Sequence, residues 1–279
     1  MALSVRTNVA SIRAANKLNT TQNQLSSSLE RISSGLRINR SADDAAGLTV
    51  ATKMESDNTS LKQAIRNAND GISLVQTAEG GLNEVYNIMV RLRELSVQAS
   101  NETYSSLDRS QMNTEYTNLI GEVKRLVSIS QFNRRNVLNQ TTTSFTIQIG
   151  IHNNEDNRLL LNLSTLNSTL GALGLGASFQ VIGSTIASAQ ANLAQIDRAV
   201  NGINTRRAYL GAVQNRLENA LNEATNYSEN LSASASQIMD VDYAEESSNM
   251  TRFQIMQQAG VAALGQAKAI PQSIVSLLS

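Results

Sequence analysis

The side chains best placed in this sequence for metal or acid–base chemistry are two groups of carboxylates. Asp43 and Asp44 are adjacent, and a second acidic group comes near the end of the chain. This second group consists of Asp240, Asp242, Glu245 and Glu246. Carboxylates at such short spacing could hold Mg²⁺. Adjacent acids at a helix start more often accept hydrogen bonds from free backbone N–H groups, so we expect capping at Asp43 and Asp44. No basic or hydroxyl partner set near the second group suggests catalysis.

The remaining chemical signals are isolated. The sequence has one histidine, His152, and no cysteine, which excludes thiolate metal sites, cysteine nucleophiles and disulfides. Gly171, Gly174 and Gly176 superficially suggest a phosphate loop, but no Lys-Ser/Thr pair follows them. No nucleophile, base or metal set occurs at credible spacing. The sequence therefore predicts no enzyme, no metal site and no cofactor.

The composition favours an elongated helical protein. Of 279 residues, 41% are hydrophobic, 16% are charged and 4% are aromatic. So few aromatic residues are typical of long helices packed by Leu, Ile, Val and Ala rather than of an enzyme with a filled pocket. The formal net charge is zero, so no overall field would draw the protein to nucleic acid or to an anionic membrane. We expect neither as a partner.

The most strongly patterned stretch is the last one, Phe253–Ser279. Apolar or small residues recur there at alternating spacings of three and four, as in a coiled-coil seam. The seam residues are Phe253, Met256, Gly260, Ala263, Ala267, Ile270, Ile274 and Leu277. A second apolar stripe runs beside the seam, so a single partner helix would leave apolar surface exposed. Interrupting Gln and Ser residues disfavour a membrane span. We predict a helix packed by several neighbours, which are other copies of the chain.

The first 36 residues carry a matching helical stripe. Its apolar positions include Leu18, Leu25, Leu29, Ile32 and Leu36. Both ends of the chain are polar on their outer faces but poor in charge, so pairing them would close the chain on itself. Polar residues scattered through Met1–Thr21 leave no continuous apolar region for a cleavable signal peptide.

Two long helices are predicted in the interior of the chain. Helical periodicity runs from Asp44 to about Gln98 and again from Gly183 to Leu231. Ser41 and Asp44 have the spacing of a capping box at the first of these starts. A shorter helix and a β-hairpin are predicted between the long helices. Ser105 and Asp108 form a second capping box before the shorter helix, which ends near Asn133, and the hairpin is indicated by alternating apolar residues on either side of a turn. These are Phe145, Ile147 and Ile149, then Leu159, Leu161 and Leu163.

These patterns predict a mainly α fold: a long antiparallel helical bundle and a terminal coiled coil, with a small β-hairpin region in the middle of the chain. Residues 1–42 and 238–279 are expected to form a terminal assembly domain. Residues 43–140 and 181–237 are expected to form the elongated bundle. Residues 141–180 are expected to form a reduced outer region containing the hairpin and a loop.

Several blocks of the sequence resemble bacterial flagellin. They are residues 31–39 (RISSGLRIN), 43–47 (DDAAG), 66–72 (RNANDGI), 93–98 (RELSVQ), 131–133 (QFN), 210–216 (LGAVQNR), 242–244 (DYA) and 257–260 (QQAG). The resemblance covers residues 1 to about 140 and 183–279. It implies a structural subunit that polymerises into the flagellar filament for swimming motility, and a short form without large outer domains. A hook–filament junction protein is the alternative, because it shares the terminal seams.

The same resemblance implies a location and a set of partners. Export through the flagellar type III route would place the protein outside the cell, in an external filament or in a periplasmic flagellum. An export chaperone, a filament cap and hook-junction proteins are the expected partners besides other copies. Flagellins that alert a host Toll-like receptor have contact residues that correspond here to Arg91, Leu95 and Glu115. The alternative is an exposed Arg91–Glu115 ion pair with Leu95 in the core.

Overall fold

The computed structural model describes residues 7–139, 144–175 and 186–278, and most of them are helical. The α-helices are α1 (Val9–Ser34), α2 (Ala45–Ala99), α3 (Ser106–Ile129), α4 (Ile186–Met239) and α5 (Tyr243–Leu278). Two antiparallel strand pairs accompany them: β1 (Gln131–Phe132) with β2 (Arg135–Asn136), and β3 (Ser144–Gln148) with β4 (Arg158–Asn162). The mainly α class predicted from the sequence is confirmed.

The chain divides into two units. The terminal unit contains residues 1–58 and 229–279, and the central unit contains residues 59–228. The sequence placed the terminal domain at 1–42 and 238–279, so the observed unit is longer at both internal boundaries. The difference arises because the first turns of α2 and the last turns of α4 belong to the terminal unit.

In the central unit, α2, α3 and α4 surround one apolar core. Arg93 of α2 pairs with Asp197 of α4 at 2.7 Å, and Glu79 lies 4.0 Å from Arg207 further along the same helices. Residue numbers rise along α2 as they fall along α4, so the two helices are antiparallel. Fully buried residues of all three helices fill the space between them. They include Leu82, Val85, Met89 and Leu92 of α2, Tyr116 and Val123 of α3, and Ile196, Ile203, Leu210 and Leu217 of α4.

Side-chain caps explain where two of these helices begin. Ser105 caps α3, because its Oγ accepts the N–H of Asp108 at 3.2 Å while Asp108 Oδ2 accepts the N–H of Ser105 at 2.9 Å. This capping box was predicted. The one predicted at Ser41 is wrong: α2 begins after Asp44, whose Oδ1 accepts the N–H of Gly47 at 2.9 Å. Asp43 instead accepts backbone N–H groups of the preceding loop, so both acids cap backbone groups, as expected.

The predicted hairpin is present as β3 and β4, with Phe145 opposite Leu161 and Ile147 opposite Leu159. Leu159 and Leu161 point into the core and Leu160 points out, which is the alternation that the sequence shows. The loop after β4 is held by Arg206 of α4. Its guanidinium Nη2 donates to the carbonyl oxygens of residues 167 and 172, at 2.7 and 3.2 Å. Burial lowers the pKa of the Arg206 side chain.

The strand pair β1–β2 was not predicted from the sequence. The sequence pattern predicted that α3 continues to about Asn133, whereas the helix ends at Ile129. Asn133 and Arg134 turn the chain with φ values of 47° and 63°. Left-handed turns of this kind usually contain glycine, and Arg at the second position gives little signal.

Candidate assembly interface

In the terminal unit, α1 and α5 pack against each other. Ser28 Oγ donates a hydrogen bond to Glu246 Oε1. Toward the other end of α1, Asn8 Nδ2 donates to the carbonyl oxygen of Ala267 at 2.8 Å. Residue numbers rise along one helix as they fall along the other, so the pair is antiparallel. The two ends of the chain thus pair within a single molecule.

A single face of α5 lies against α1. Its half-buried residues include Phe253, Gln257, Gly260, Leu264 and Ala267. Gly260 lies close to α1, since a Cβ atom built there would lie 3.2 Å from Leu18 Cδ1. Gln257 Nε2 donates a hydrogen bond to Gln22 Oε1 beside this contact.

The seam predicted for α5 divides between this face and the exposed surface. Phe253, Gly260 and Ala267 contribute to the contact with α1, whereas Met256 and Ala263 are exposed. The side chains of Ile270, Ile274 and Leu277 lie outside the described residues. Of the predicted α1 positions, Leu25 is buried and Leu29 is exposed, while the others are half-buried. The others are Leu18, Ile32 and Leu36, the last of which follows the end of the helix.

Large apolar side chains of α5 remain exposed in several directions around the helix. Ile255 is 61% exposed and points away from α1, while Met256 at 37% and Val261 at 57% lie on opposite flanks. Val9 and Ile12 of α1 are also exposed. A helix with apolar residues on all sides is normally buried on all sides. The α1–α5 pair therefore presents surface that the single chain leaves uncovered.

The two connections that flank this pair are joined to each other. Leu36 and Asp240 form an isolated antiparallel bridge. The backbone N–H of Arg37 donates to the carbonyl oxygen of Met239 at 2.6 Å, and its guanidinium donates to that of Ile238 at 2.7 Å. These bonds satisfy carbonyl groups that the end of α4 would otherwise leave free. The segments entering and leaving the helical pair are thereby held together.

The three residues predicted to contact a host receptor lie in the central unit. Arg91 pairs with Glu115 at 2.9 Å and with Glu94 at 3.0 Å, and both pairs are exposed. The hydrogen bond that Arg91 donates to Glu115 is the main reason that the pKa of Arg91 is raised. Leu95 is only 2% exposed and belongs to the core. The folded central unit therefore presents Arg91 and Glu115 at its surface, but not Leu95.

In the described part of the chain, the carboxylates and the histidine singled out in the sequence are not grouped as a metal site. A cavity of about 300 Å³ in the central unit is lined by His152, Asp156 and Glu223 among others. Within residues 7–139, 144–175 and 186–278, no three His, Cys, Asp or Glu side chains are grouped to hold a metal ion. In the late acidic group, Asp242 Oδ1 accepts the N–H of Ala244 at 2.8 Å. No helix in the described part of the chain is both long and apolar enough to cross a membrane.

A helical protein whose paired ends expose apolar surface has the features of a subunit that polymerises. Comparison with known proteins identifies which kind. Residues 5–143 match the bacterial flagellin N-terminal helical region, and residues 193–278 match the bacterial flagellin C-terminal helical region. A flagellin from Halalkalibacterium halodurans is 40% identical, over 97% of this chain and 98% of its own length. The flagellar filament 33 kDa core protein of Treponema phagedenis is 38% identical, over 97% of this chain and 98% of its own length.

The chain belongs to the bacterial flagellin family. It is a structural subunit of the flagellar filament, as the sequence predicts. A solved structure described as a flagellar hook-associated protein from Vibrio parahaemolyticus has a TM-score of 0.58. It is 13% identical and covers 71% of this chain and all of its own length, which shows a likeness of fold alone. The hook-junction alternative therefore has less support than a filament subunit.

Proposed function

We propose that the outward apolar side chains of α1 and α5 form the contacts between subunits that build the filament. The observation that carries the proposal is the exposure of Ile255, Met256 and Val261 in different directions around one helix. Burying one large apolar side chain contributes about 1.5–3 kcal/mol. Several such contacts on each subunit would favour polymerisation strongly, because every chain offers the same surfaces to its neighbours.

The test is a double substitution on the outward face, Ile255→Asn with Val261→Asn. The variant should keep the far-UV circular dichroism and thermal transition of the central unit, because neither residue belongs to that unit. Its yield of sedimentable polymer should fall by about tenfold or more. Gln254→Asn with Gln258→Asn is the matched control, since both residues are exposed polar positions in the same turns. Normal polymerisation of the first variant would refute the assignment of this surface.

The predicted seam becomes part of the same proposal. Phe253, Gly260 and Ala267 are proposed to hold α5 against α1 within the subunit. Met256 and Ala263 are proposed to face neighbouring subunits, because they lie on one exposed flank of the helix. We assign the protein a structural role without catalysis, which its membership of a family of filament proteins supports.

The proposed partners follow from export and assembly of such a subunit. An export chaperone would cover the apolar face of α5 before polymerisation, and a filament cap and hook-junction proteins would contact it during assembly. The finished filament would lie outside the cell body, either free or in the periplasm. Immunogold labelling of intact cells and of cells with permeabilised envelopes distinguishes these locations.

A host receptor is the remaining proposed partner, and the contact would use Arg91 and Glu115. These two side chains are exposed, whereas Leu95 is buried in the core and would not contact a receptor directly. A receptor-reporter assay with monomeric protein should give lower potency for Arg91→Ala than for the original chain. Arg125→Ala is the control, because Arg125 forms a comparable exposed ion pair with Glu122. Equal potency of both variants would leave Arg91 with a structural role alone.

A further inference from the structure

Glu246 stands out among the buried side chains of the described residues because it is the one acidic or basic side chain among them, at only 8% exposed. Its Oε1 accepts the hydrogen bond of Ser28 Oγ, and its Oε2 lies 3.8 Å from Nη1 of Arg31. Both partners belong to α1, so the carboxylate lies inside the contact between the two terminal helices. A buried charge is tolerated where it is paired and is strongly destabilising where its partner is absent.

The apolar part of the contact discriminates weakly between different axial alignments of the helices. Glu246, Phe253, Gly260 and Ala267 follow one another at intervals of seven residues along the same face of α5. A slide of α5 by one heptad would bring Phe253 opposite Leu18 and would still place apolar groups together. The same slide would bring Glu246 opposite Thr21 and Gln24, which precede Ser28 and Arg31 by seven residues. The carboxylate would then lose the positive charge of Arg31, and the hydroxyl of Thr21 already donates to the carbonyl oxygen of Lys17 at 3.1 Å.

We propose that Glu246, held by Ser28 and Arg31, sets the axial register of α5 against α1. This is a positioning role, comparable to that of a single buried polar residue that fixes the alignment of a coiled coil. Other contacts agree with the same alignment, including Leu18 over Gly260 and Asn8 on Ala267. The effect of this register on the filament rests on the proposed function, since the register decides which side chains the helical pair presents to neighbouring subunits.

The sequence has no cysteine, so pairs of introduced cysteines can report the register without background. A Cβ atom at position 260 would lie 3.9 Å from Leu18 Cβ, which is within the range of a disulfide. Leu18→Cys with Gly260→Cys therefore reports the observed register. Leu18→Cys with Phe253→Cys reports a slide of one heptad. Disulfides within one chain are distinguished from those between chains by mass on non-reducing gels, for both sedimented polymer and soluble protein.

In the original background, the first cysteine pair should form intrachain disulfide in more than about tenfold excess over the second. In a Ser28→Ala and Glu246→Leu background, the excess should fall to within a few-fold. The melting temperature should be unchanged or higher, because apolar replacement of a buried polar group is often neutral or stabilising. Glu245→Leu is the matched control, since Glu245 is exposed beside Glu246, and it should leave the excess unchanged.

A large excess that persists in the Ser28→Ala and Glu246→Leu background would overturn the proposal. In that case the backbone bridge between Leu36 and Asp240 would be sufficient to set the register. Absence of any preference in the original background would overturn it as well. Polymer yield is recorded for the same samples, so failure of the assembly proposal is recognised separately: loss of sedimentation leaves the ratio of the two disulfides measurable on soluble chains.

Discussion

Gly80 and Gly81 are neighbours in α2, but replacement by alanine should stabilise the central unit at Gly80 and should leave its stability unchanged or lower at Gly81. A Cβ atom at Gly81 would lie 2.8 Å from Ser130 Oγ and 2.9 Å from Leu138 Cδ1. A Cβ atom at Gly80 would have no atom within 4 Å apart from its own helix. The two positions have the same helical backbone and differ in what a methyl group meets.

The expected magnitude follows from two opposing terms. Alanine is favoured over glycine in a helix interior by about 1 kcal/mol, and this gain applies to both variants. Overpacking costs about 1–3 kcal/mol where neighbours are unable to move aside. Leu138 is fully buried, and Ser130 Oγ donates to the carbonyl oxygen of Leu126 at 2.7 Å. The free energy of unfolding of Gly81→Ala should therefore be about 1–3 kcal/mol lower than that of Gly80→Ala.

Thermal unfolding followed by circular dichroism is the assay. A change of 1 kcal/mol shifts Tm by about 2–4 °C in a domain of this size. Gly80→Ala should melt a few degrees above the original protein, and Gly81→Ala should melt at the same temperature or below it. Equal increases in Tm for the two variants would show that the segment after α3 does not pack closely on α2, and the reasoning would be refuted.

Three further predictions concern single contacts. Gly260→Leu should reduce polymer yield far more than Gly265→Leu, because a Cβ atom at position 260 would meet Leu18 of α1 whereas one at position 265 has no described atom within 4 Å. Sedimentation measures both variants, and equal losses would contradict the contact. Arg206→Met should lower the free energy of unfolding by about 1–3 kcal/mol, because it leaves loop carbonyl groups without their donor. Arg198→Met should have little effect, because Arg198 donates to a carbonyl oxygen of its own helix. Thermal melts of the two variants test this difference. The hydrogen bond from Ser105 lowers the pKa of Asp108 in the folded state. The stabilising effect of the Asp108 carboxylate is therefore present above the unfolded pKa of about 3.9 and is lost as pH falls through the folded value. The Tm difference between the original chain and Asp108→Asn should shrink between pH 7 and pH 3, and a constant difference would argue against the cap.

The helices and the longer hairpin could be predicted because their periods are long and regular. Gly71, Gly80 and Gly81 interrupt the pattern of α2 without ending it, since an isolated glycine costs only about 1 kcal/mol in a helix. The start of α2 was placed at the wrong cap because Ser41 and Asp44 have the correct spacing for a capping box. Asp44 lies next to the helix and caps it directly.

The face by which α5 contacts α1 could be predicted only in part. Starting from Phe253, spacings of three and four generate two overlapping lines of residues. The more apolar set of residues, which includes Met256, was predicted to form the contact. In the structure the set that includes Gln257 faces α1. A glutamine is acceptable there because its side chain bonds to Gln22 across the pair. Apolar periodicity contains no information about such a polar contact, and it also gives no reason why Met256 remains available to other partners.

The most direct test of assembly through the terminal helices compares the full chain with a chain that lacks Phe253–Ser279, using electron microscopy and sedimentation. The full chain should form long filaments. The shortened chain should stay soluble and keep the thermal transition of the central unit, because the core of that unit contains no residue of the deleted segment. Filaments of normal diameter from the shortened chain would contradict the claim that α5 supplies the contacts between subunits.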